Sequence, residues 1–379
     1  AYLQLFKGDF YGEQADGNRL RRTKVTAPRG IFYDRDGVEL VNNLPGYVVA
    51  LRRQNNPYDE ELLRALSDII DMPVTEMRKK LEENSDSYEP TRLKSNITPE
   101  MLTKLEEKKR ELPGVMIEIQ PVRNYLFKEL GVHAIGYVGE VSQYDITQGS
   151  YKNMPVGSVV GKFGLEKTYD RYVRGIDGSY DEEVDVAGNV VKQLGQIDPV
   201  PGKSLQLTID KDLQQVMEKA VDEHLAYLRS SGIAPGARAA AIVALDPKTG
   251  AVRAMVSRPA FDPNLFVHGI SEKDWNSINN DPNYPMTNKV IGGEYPPGSP
   301  FKIITGAAAL ELGKVTPDEL IFDSGRHWLI DMRNAGGEAL GWLNFHEALR
   351  KSDNVYFYEM GNRLGIDNIV TFAKKFGIG

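Results

Sequence analysis

Two short motifs place a nucleophile, an amine and an amide at spacings that suit acyl transfer. Residues 299–302 read SPFK, and residues 352–354 read SDN. Serine is a favoured N-cap and proline is favoured at the first helical position, so a helix is predicted to begin at Ser299. Residues three apart lie on one helix face, which brings the amine of Lys302 within reach of the Ser299 hydroxyl. Because a serine hydroxyl needs a base to become a useful nucleophile, the spacing predicts a serine activated by a lysine.

The environment of Lys302 also suits a base. The predicted helix is largely apolar and ends at Gly313, so burial should favour the neutral amine. The helix N-terminus offers free N–H groups and the positive end of the helix dipole to a developing oxyanion. Taken alone the pattern is weak, because a capping serine followed by a surface lysine gives the same letters.

The second motif is predicted to lie in a short turn between two helices. It follows an amphipathic stretch at 343–349 and precedes a helical run at 356–364. Asp and Asn are common turn residues, so an ordinary turn is the alternative interpretation. In the functional interpretation, Ser352 relays a proton near Lys302 and Asn354 holds a substrate amide.

Together the two motifs are typical of penicillin-binding proteins and class A β-lactamases. The residues around them make the chain resemble a class B penicillin-binding protein. The stretches that carry this resemblance are 28–37 (PRGIFYDRDG), 123–125 (RNY), 133–140 (HAIGYVGE), 161–170 (GKFGLEKTYD), 244–250 (ALDPKTG) and 294–298 (EYPPG). Residues 341–344 (GWLN) and 366–379 resemble most the elongation-specific type, penicillin-binding protein 2.

The resemblance implies an α+β fold in two parts. Residues 1–202 would form a β-rich, non-catalytic pedestal, and residues 203–379 a transpeptidase domain with an antiparallel sheet flanked by helices. The pedestal would consist of an anchor part, at about 1–55 and 115–202, and an inserted small α+β head at about 56–114. Patterns in the sequence agree, since apolar residues recur at helical spacing over 57–112 and a Pro/Gly cluster at 198–202 predicts a linker.

The transpeptidase domain is expected to be incomplete in this sequence. The elements predicted after the linker are a strand at 205–209, a helix at 211–227 and a hairpin of strands at 239–245 and 251–256. The family needs a Lys-[Thr/Ser]-Gly strand after the second motif, and none follows Asn354. The Lys-Thr-Gly at 248–250 precedes Ser299 and is predicted to form a hairpin turn instead. The closing strand is therefore expected further downstream, in a longer protein.

By resemblance, the expected activity is a D,D-transpeptidase that cross-links peptidoglycan stem peptides during cell-wall elongation. Ser299 would attack the D-Ala-D-Ala amide, with Lys302 as its base, and an acceptor amine would resolve the acyl-enzyme. Ser352 would pass a proton to the leaving amine, and Asn354 would hold the donor's backbone amide. β-Lactams would acylate Ser299 because they mimic the same amide. No cofactor and no metal is expected.

Two other functions remain open. A β-lactamase or penicillin-sensing receptor could use the same centre, although no general base for deacylation can be identified in the sequence. A non-catalytic activator could dock through the pedestal on a membrane glycosyltransferase. The resemblance implies such a partner, with other elongation-complex proteins, alongside catalysis. It also implies a bacterial membrane protein with an extracytoplasmic catalytic domain, whose single N-terminal anchor would precede residues 1–7 and be absent from this chain.

Composition excludes several further classes of function. The chain has no cysteine, which removes disulfides, Cys-based zinc sites and thiol catalysis. Its formal net charge of −7 gives no electrostatic reason to expect a nucleic-acid partner. The side chains of His327, His346, Asp323 and Asp331 match no standard metal spacing, so solvated loop positions are predicted for them.

Overall fold

The structure is a computed structural model that describes residues 20–52, 59–83, 90–95, 97–148, 151, 154, 158–184, 190–267 and 269–378. The chain separates into two compact units, residues 1–293 and residues 294–379. Residues 1–7, interpreted above as following a membrane anchor, lie outside the described residues. None of the helices in the described part of the chain combines the length and the apolar character needed to cross a bilayer.

The first unit contains both strands and helices. The strands of the first unit are β1 (Leu20–Val25), β2 (Phe32–Tyr33), β3 (Glu39–Leu51), β4 (Thr91–Ser95), β5 (Val115–Tyr125), β6 (Val138–Glu140), β7 (Val159–Gly161), β8 (Gly178–Val184), β9 (Val190–Ile197), β10 (Leu205–Gln206), β11 (Ala240–Leu245) and β12 (Val252–Arg258). Its α-helices are α1 (Glu60–Ile70), α2 (Val74–Glu83), α3 (Pro99–Glu107), α4 (Val132–Ile135), α5 (Gln143–Gln148), α6 (Gly164–Thr168), α7 (Asp170–Val173), α8 (Lys211–Ser230), α9 (Glu272–Asn279) and α10 (Lys289–Gly292), with a 3-10 helix at Pro263–Phe266.

The second unit is mostly helical. It contains the strands β13 (Ile321–Asp323) and β14 (Gly341–Leu343) and the helices α11 (Lys302–Glu311), α12 (Phe345–Lys351), α13 (Asn354–Leu364) and α14 (Ile366–Lys375), with 3-10 turns at Ser299–Phe301 and Ala335–Gly337.

A five-stranded sheet runs through the first unit in the order β10-β2-β3-β4, with β5 also paired to β3. Strand β5 is antiparallel to β3 over its whole length of 11 residues. Strand β10 pairs with β2 in parallel, so a strand from beyond the predicted linker at 198–202 completes the pedestal sheet. The strand predicted at 205–209 is therefore correctly placed but shorter, because only two of its residues pair with β2.

The first pedestal signature permits a close approach of two backbone segments. A Cβ atom at Gly30 would be 2.0 Å from the carbonyl oxygen of Lys203, so only glycine fits at this position. On the same side, the N–H of Leu205 donates to the carbonyl oxygen of Ile31 at 2.9 Å. The N–H of Ile31 donates to the Ser204 hydroxyl at 3.0 Å. Residues of the 28–37 signature thus take part in the pairing of β2 with β10.

Four charged side chains from the pedestal signatures meet in the interior of the anchor part. Arg29 donates to Glu166 at 2.7 Å and to Asp170 at 2.9 Å. Arg123 donates to the second oxygen of Glu166 at 2.6 Å and to the carbonyl oxygen of Gly30 at 2.7 Å. All four side chains are buried, and Glu166 is 0% exposed. Because a buried charge needs a partner, these ion pairs fix the segments that carry them.

The head confirms the helical periodicity predicted over 57–112. Asp59 caps α1 by accepting hydrogen bonds from the N–H groups of Glu61 and Leu62. Thr98 caps α3 in the same way through the N–H of Met101. The apolar faces of the head helices form one core with β3 and β4, made of Val49, Leu51, Leu62, Leu63, Leu66, Ile69, Ile70, Met72, Met77, Leu81, Leu93, Ile97, Leu105 and Leu112.

The elements after the linker match the predicted helix and hairpin. Asp210 caps α8 through the N–H of Leu213. Strands β11 and β12 are antiparallel, and the Lys-Thr-Gly at 248–250 lies in the turn between them, as predicted. Asp246 stabilises that turn, since its side chain accepts the N–H of Lys248 at 3.0 Å.

In the second unit, α11 packs against α13 and α14, and β13 pairs with β14. The buried core of this unit consists of Ile304, Ala308, Ala309, Val315, Leu343, Phe345, Ala348, Tyr356, Phe357, Met360, Leu364, Phe372 and Ala373. With sheets and helices in both halves of the chain, the predicted α+β class is confirmed.

The buried charge cluster predicts a large stability loss when one partner is removed. Glu166→Gln should lower the free energy of unfolding by about 3–5 kcal/mol, because Arg29 and Arg123 would remain buried with less compensating charge. Urea unfolding followed by circular dichroism measures the loss. The matched control is Glu129→Gln at an exposed position, where little change is expected. Equal stability of the two variants would contradict a structural role for the cluster.

Candidate active site

A glycine and a 3-10 turn present Ser299 at the start of α11. Gly298 has a φ of 59°, a left-handed conformation that glycine adopts without steric cost. The turn begins at Ser299, as predicted, but the prediction that the serine side chain caps it is wrong. Gly298 occupies the N-cap position, and the Ser299 hydroxyl bonds to Ser352 at 2.9 Å instead. The hydroxyl of the predicted nucleophile thus contacts the second motif.

Ser352 lies between Ser299 and Lys302. Its hydroxyl oxygen is 2.9 Å from Oγ of Ser299 and 3.0 Å from Nζ of Lys302. Among the residues that the structure describes, no hydrogen bond joins Lys302 directly to Ser299. The direct contact expected from the spacing is therefore replaced by a bridge, because the amine is held by acceptors on the second motif. The three polar groups form a continuous hydrogen-bonded chain.

The amine of Lys302 is surrounded by acceptors. Besides the Ser352 hydroxyl, Nζ donates to the carbonyl oxygen of Ser352 at 2.6 Å and to Oδ1 of Asn354 at 2.6 Å. Burial lowers the pKa of Lys302, and the nearby charge of Asp353 partly opposes that shift. The direction agrees with the expectation that burial favours the neutral amine.

The second motif forms the predicted turn between two helices. Ser352 ends α12 in a left-handed conformation with a φ of 55°. Asp353 is the N-cap of α13, where its Oδ1 accepts the N–H of Tyr356 at 2.7 Å. Asn354 is held on both sides, because its Oδ1 accepts from Lys302 and its Nδ2 donates to the carbonyl oxygen of Arg333 at 3.1 Å. Its predicted contact with a substrate amide stays a prediction.

The loop between β13 and β14 contacts this turn through Asn334. Oδ1 of Asn334 accepts the N–H groups of Asn354 at 2.8 Å and Val355 at 3.3 Å. Asn334 in turn donates to Oδ2 of Asp323 at 2.6 Å. Asn334 is not predicted from the sequence, because nothing in the spacing links it to a motif twenty residues away.

The prediction of solvated loop positions is wrong for two of the four metal-ligand candidates. Asp323 and His327 are buried, whereas Asp331 is exposed in a loop as predicted. His346 is exposed as predicted but lies in α12 rather than in a loop. His327 accepts the N–H of Leu329 at Nδ1, so its Nε2 carries the proton and faces Glu359 at 3.2 Å. The described residues contain no group of three or more His, Cys, Asp or Glu side chains arranged to hold a metal ion.

A cavity of about 720 Å³ lies beside the hydrogen-bonded chain. Ser299, Lys302 and Asn354 line it together, with apolar walls that include Leu329 and Phe357. A concave site with apolar walls and a few convergent polar groups suits a ligand with one reactive polar centre.

Comparison with known proteins assigns the chain to a family. Residues 24–207 match the penicillin-binding protein dimerisation domain, and residues 240–379 match the penicillin-binding protein transpeptidase domain. The chain belongs to the penicillin-binding proteins. A relative from Acinetobacter baumannii, the peptidoglycan D,D-transpeptidase MrdA, is 33% identical over an alignment 389 residues long, which covers 100% of this chain. The chain spans 55% of that relative's length.

Solved structures agree with the predicted likeness to penicillin-binding protein 2. The structure of penicillin-binding protein 2 (PBP2) from Helicobacter pylori in complex with MreC has a TM-score of 0.79 and 24% identity, covering 94% of this chain and 66% of its own. At that identity it supports the fold alone. A chain from a peptidoglycan synthase complex that coordinates polymerization and crosslinking has a TM-score of 0.68 and 29% identity, covering 99% of this chain and 64% of its own. The predicted family is confirmed.

The bridge through Ser352 predicts a defined mutational pattern in labelling with fluorescent penicillin. Ser352→Gly removes the hydroxyl while relieving the left-handed backbone, so we expect labelling at least tenfold slower with no loss of stability. Ser352→Ala removes the same hydroxyl and should slow labelling to a similar extent, but it keeps the Cβ in the left-handed conformation and should be about 1 kcal/mol less stable than Ser352→Gly. Rates come from gel fluorescence and stabilities from thermal unfolding. If Ser352→Gly were labelled at the same rate as wild type, the Ser352 hydroxyl would be dispensable.

Proposed function

We propose that this protein is a peptidoglycan D,D-transpeptidase that forms a serine acyl-enzyme during cell-wall elongation. The observation that carries the proposal is the hydrogen-bonded chain from Ser299 through Ser352 to Lys302, at 2.9 Å and 3.0 Å. A hydroxyl and an amine with a lowered pKa lie at the two ends of this chain, which supports a nucleophile and a base connected by a proton path. The family match supports the proposal independently.

In the proposed mechanism, Ser299 attacks the carbonyl carbon of the penultimate D-Ala of a stem peptide. Its proton passes to Ser352 as the Ser352 proton passes to Lys302, so the amine becomes an ammonium. When the tetrahedral intermediate collapses, Lys302 returns a proton to Ser352 as Ser352 gives its own to the departing D-Ala amine. An acceptor amine then attacks the ester and gives a proton to Ser352 and Lys302, and Ser352 protonates the Ser299 oxygen as it leaves. Ser299 starts its helix, so by position its N–H lacks an intrahelical acceptor and is available to the oxyanion.

Asn354 is proposed to hold the donor peptide beside Ser299. Its side-chain amide already contacts Lys302 and Arg333, so a substrate amide would exchange with, or add to, one of these bonds. β-Lactams are proposed to acylate Ser299 because their strained amide offers the same electrophilic carbon. The apolar walls of the adjoining cavity suit the aliphatic parts of either ligand.

The proposed setting is the extracytoplasmic face of a bacterial membrane, with an N-terminal anchor outside this sequence. The pedestal is proposed to dock on a membrane glycosyltransferase and on other elongation-complex proteins. Two similar structures support this, since one holds a PBP2 with MreC and the other belongs to a complex that coordinates polymerization and crosslinking. Docking and transpeptidation are compatible, because the pedestal signatures lie apart in sequence from the SPFK and SDN motifs.

Fluorescent penicillin labelling of the full-length protein tests the nucleophile. Wild type should form a covalent adduct, and Ser299→Ala should form none, because the attacking oxygen is gone. Ser324→Ala is the control, since Ser324 is exposed in the same unit and bonds only locally. An adduct that survives Ser299→Ala would refute the assignment. If that variant still stimulates a partner glycosyltransferase, the docking role stands separately from catalysis.

A further inference from the structure

Two buried carboxyl groups lie behind the SDN turn. Asp353 and Asp323 are each only 1% exposed. Oδ1 of Asp353 accepts the N–H of Tyr356, but its Oδ2 is buried and has no hydrogen-bond partner among the described residues. A buried, unpartnered carboxylate oxygen is costly, so this atom calls for a proton or a donor.

Asp323 is much better solvated by the protein. Its Oδ1 accepts the N–H of Gly325 at 2.6 Å, and its Oδ2 accepts from Leu340 N–H at 2.8 Å and from Asn334 at 2.6 Å. Both oxygens of Asp323 therefore have donors, whereas Oδ2 of Asp353 has none within the part of the chain that the structure describes. Burial and the neighbouring Asp323 raise the pKa of Asp353 to about 6. Of the two carboxyl groups, Asp353 is the one whose surroundings favour the protonated form.

We propose that Asp353 shares a proton with Asp323, and that this pair and Asn334 position the SDN turn for catalysis. The inference rests on the proposed function, because Ser352 and Asn354 are the groups that the turn presents. Asn334 connects the two parts, since its amide donates to Asp323 and its Oδ1 accepts the first two N–H groups of α13. Asp323, Asn334 and Asp353 are positioning residues that act through the turn.

The shared proton also affects the base. The charged groups that face Asp353 are Asp323 from β13 and Lys302 from α11. A negative charge on Asp353 raises the pKa of Lys302, so the protonated form of Asp353 leaves more of the amine neutral. The pKa of Asp353 is raised on folding, so its contribution to stability is complete below its ordinary value of 3.8 and is lost as the pH rises through about 6.

The test compares Asp353→Asn with wild type in the full-length protein. Asparagine keeps the cap on α13 and imitates the protonated carboxyl, so the variant should be acylated by penicillin at a rate within about threefold of wild type near pH 6. Its acid limb in the pH–rate profile should lie at lower pH, because Lys302 no longer faces a carboxylate. Asp353→Ala loses the cap and should be acylated at least tenfold more slowly. Asp318→Asn, an exposed change in the same unit, should match wild type.

A spectroscopic measurement separates this inference from the proposed function. The infrared difference between wild type and Asp353→Asn should contain the C=O stretch of a protonated carboxylic acid near pH 5, and the band should fade as the pH rises through about 6. No such band, a stoichiometric cation bound between the carboxylates, or coincident pH–rate profiles would overturn the shared proton. If the band is present but wild type is never acylated, the proposed function fails and the shared proton stands.

Discussion

The contact between the Lys302 amine and the SDN turn is the interaction on which the geometry of the candidate site depends. Two acceptors of this contact, the Ser352 carbonyl and Asn354 Oδ1, lie at the short distance of 2.6 Å. They stabilise the ammonium form of Lys302, whereas burial favours its neutral amine. The proposed proton transfer uses both forms, and the two effects oppose each other.

Buried charges also hold segments together in both units. In the pedestal, Glu166 joins two arginines that come from different signatures. In the second unit, Asp323 joins a loop amide to the strand pair β13–β14. Each carboxylate is costly to bury alone, so its partners cannot leave without a large loss of stability. These clusters give irregular segments a defined position that apolar packing alone would leave loose.

Much of this architecture was predictable from local chemistry. The SDN turn followed from two helical runs separated by turn-forming residues, and the head helices followed from the spacing of apolar residues. The structure adds Asp59 and Thr98 as the caps of two of these helices. The Ser299 cap was wrong because local propensity ignored a hydrogen-bond partner that arrives from fifty residues away. The burial of Asp323 and His327 was not predicted from the sequence for the same reason. Their partners lie on other elements, and no sequence period encodes a contact between loops.

The long antiparallel ladder of β3 and β5 has a consequence for how this pedestal can vary. The head leaves the anchor part at the end of β3 and returns at the start of β5, two strand ends that are already hydrogen-bonded to each other. The excursion is therefore closed at its base by hydrogen bonds of the ladder, so lengthening or shortening it adds little loop entropy. The head can vary most easily in length and surface outside β4 and outside the side chains packed on Val49 and Leu51, because those contacts belong to the same sheet as the ladder.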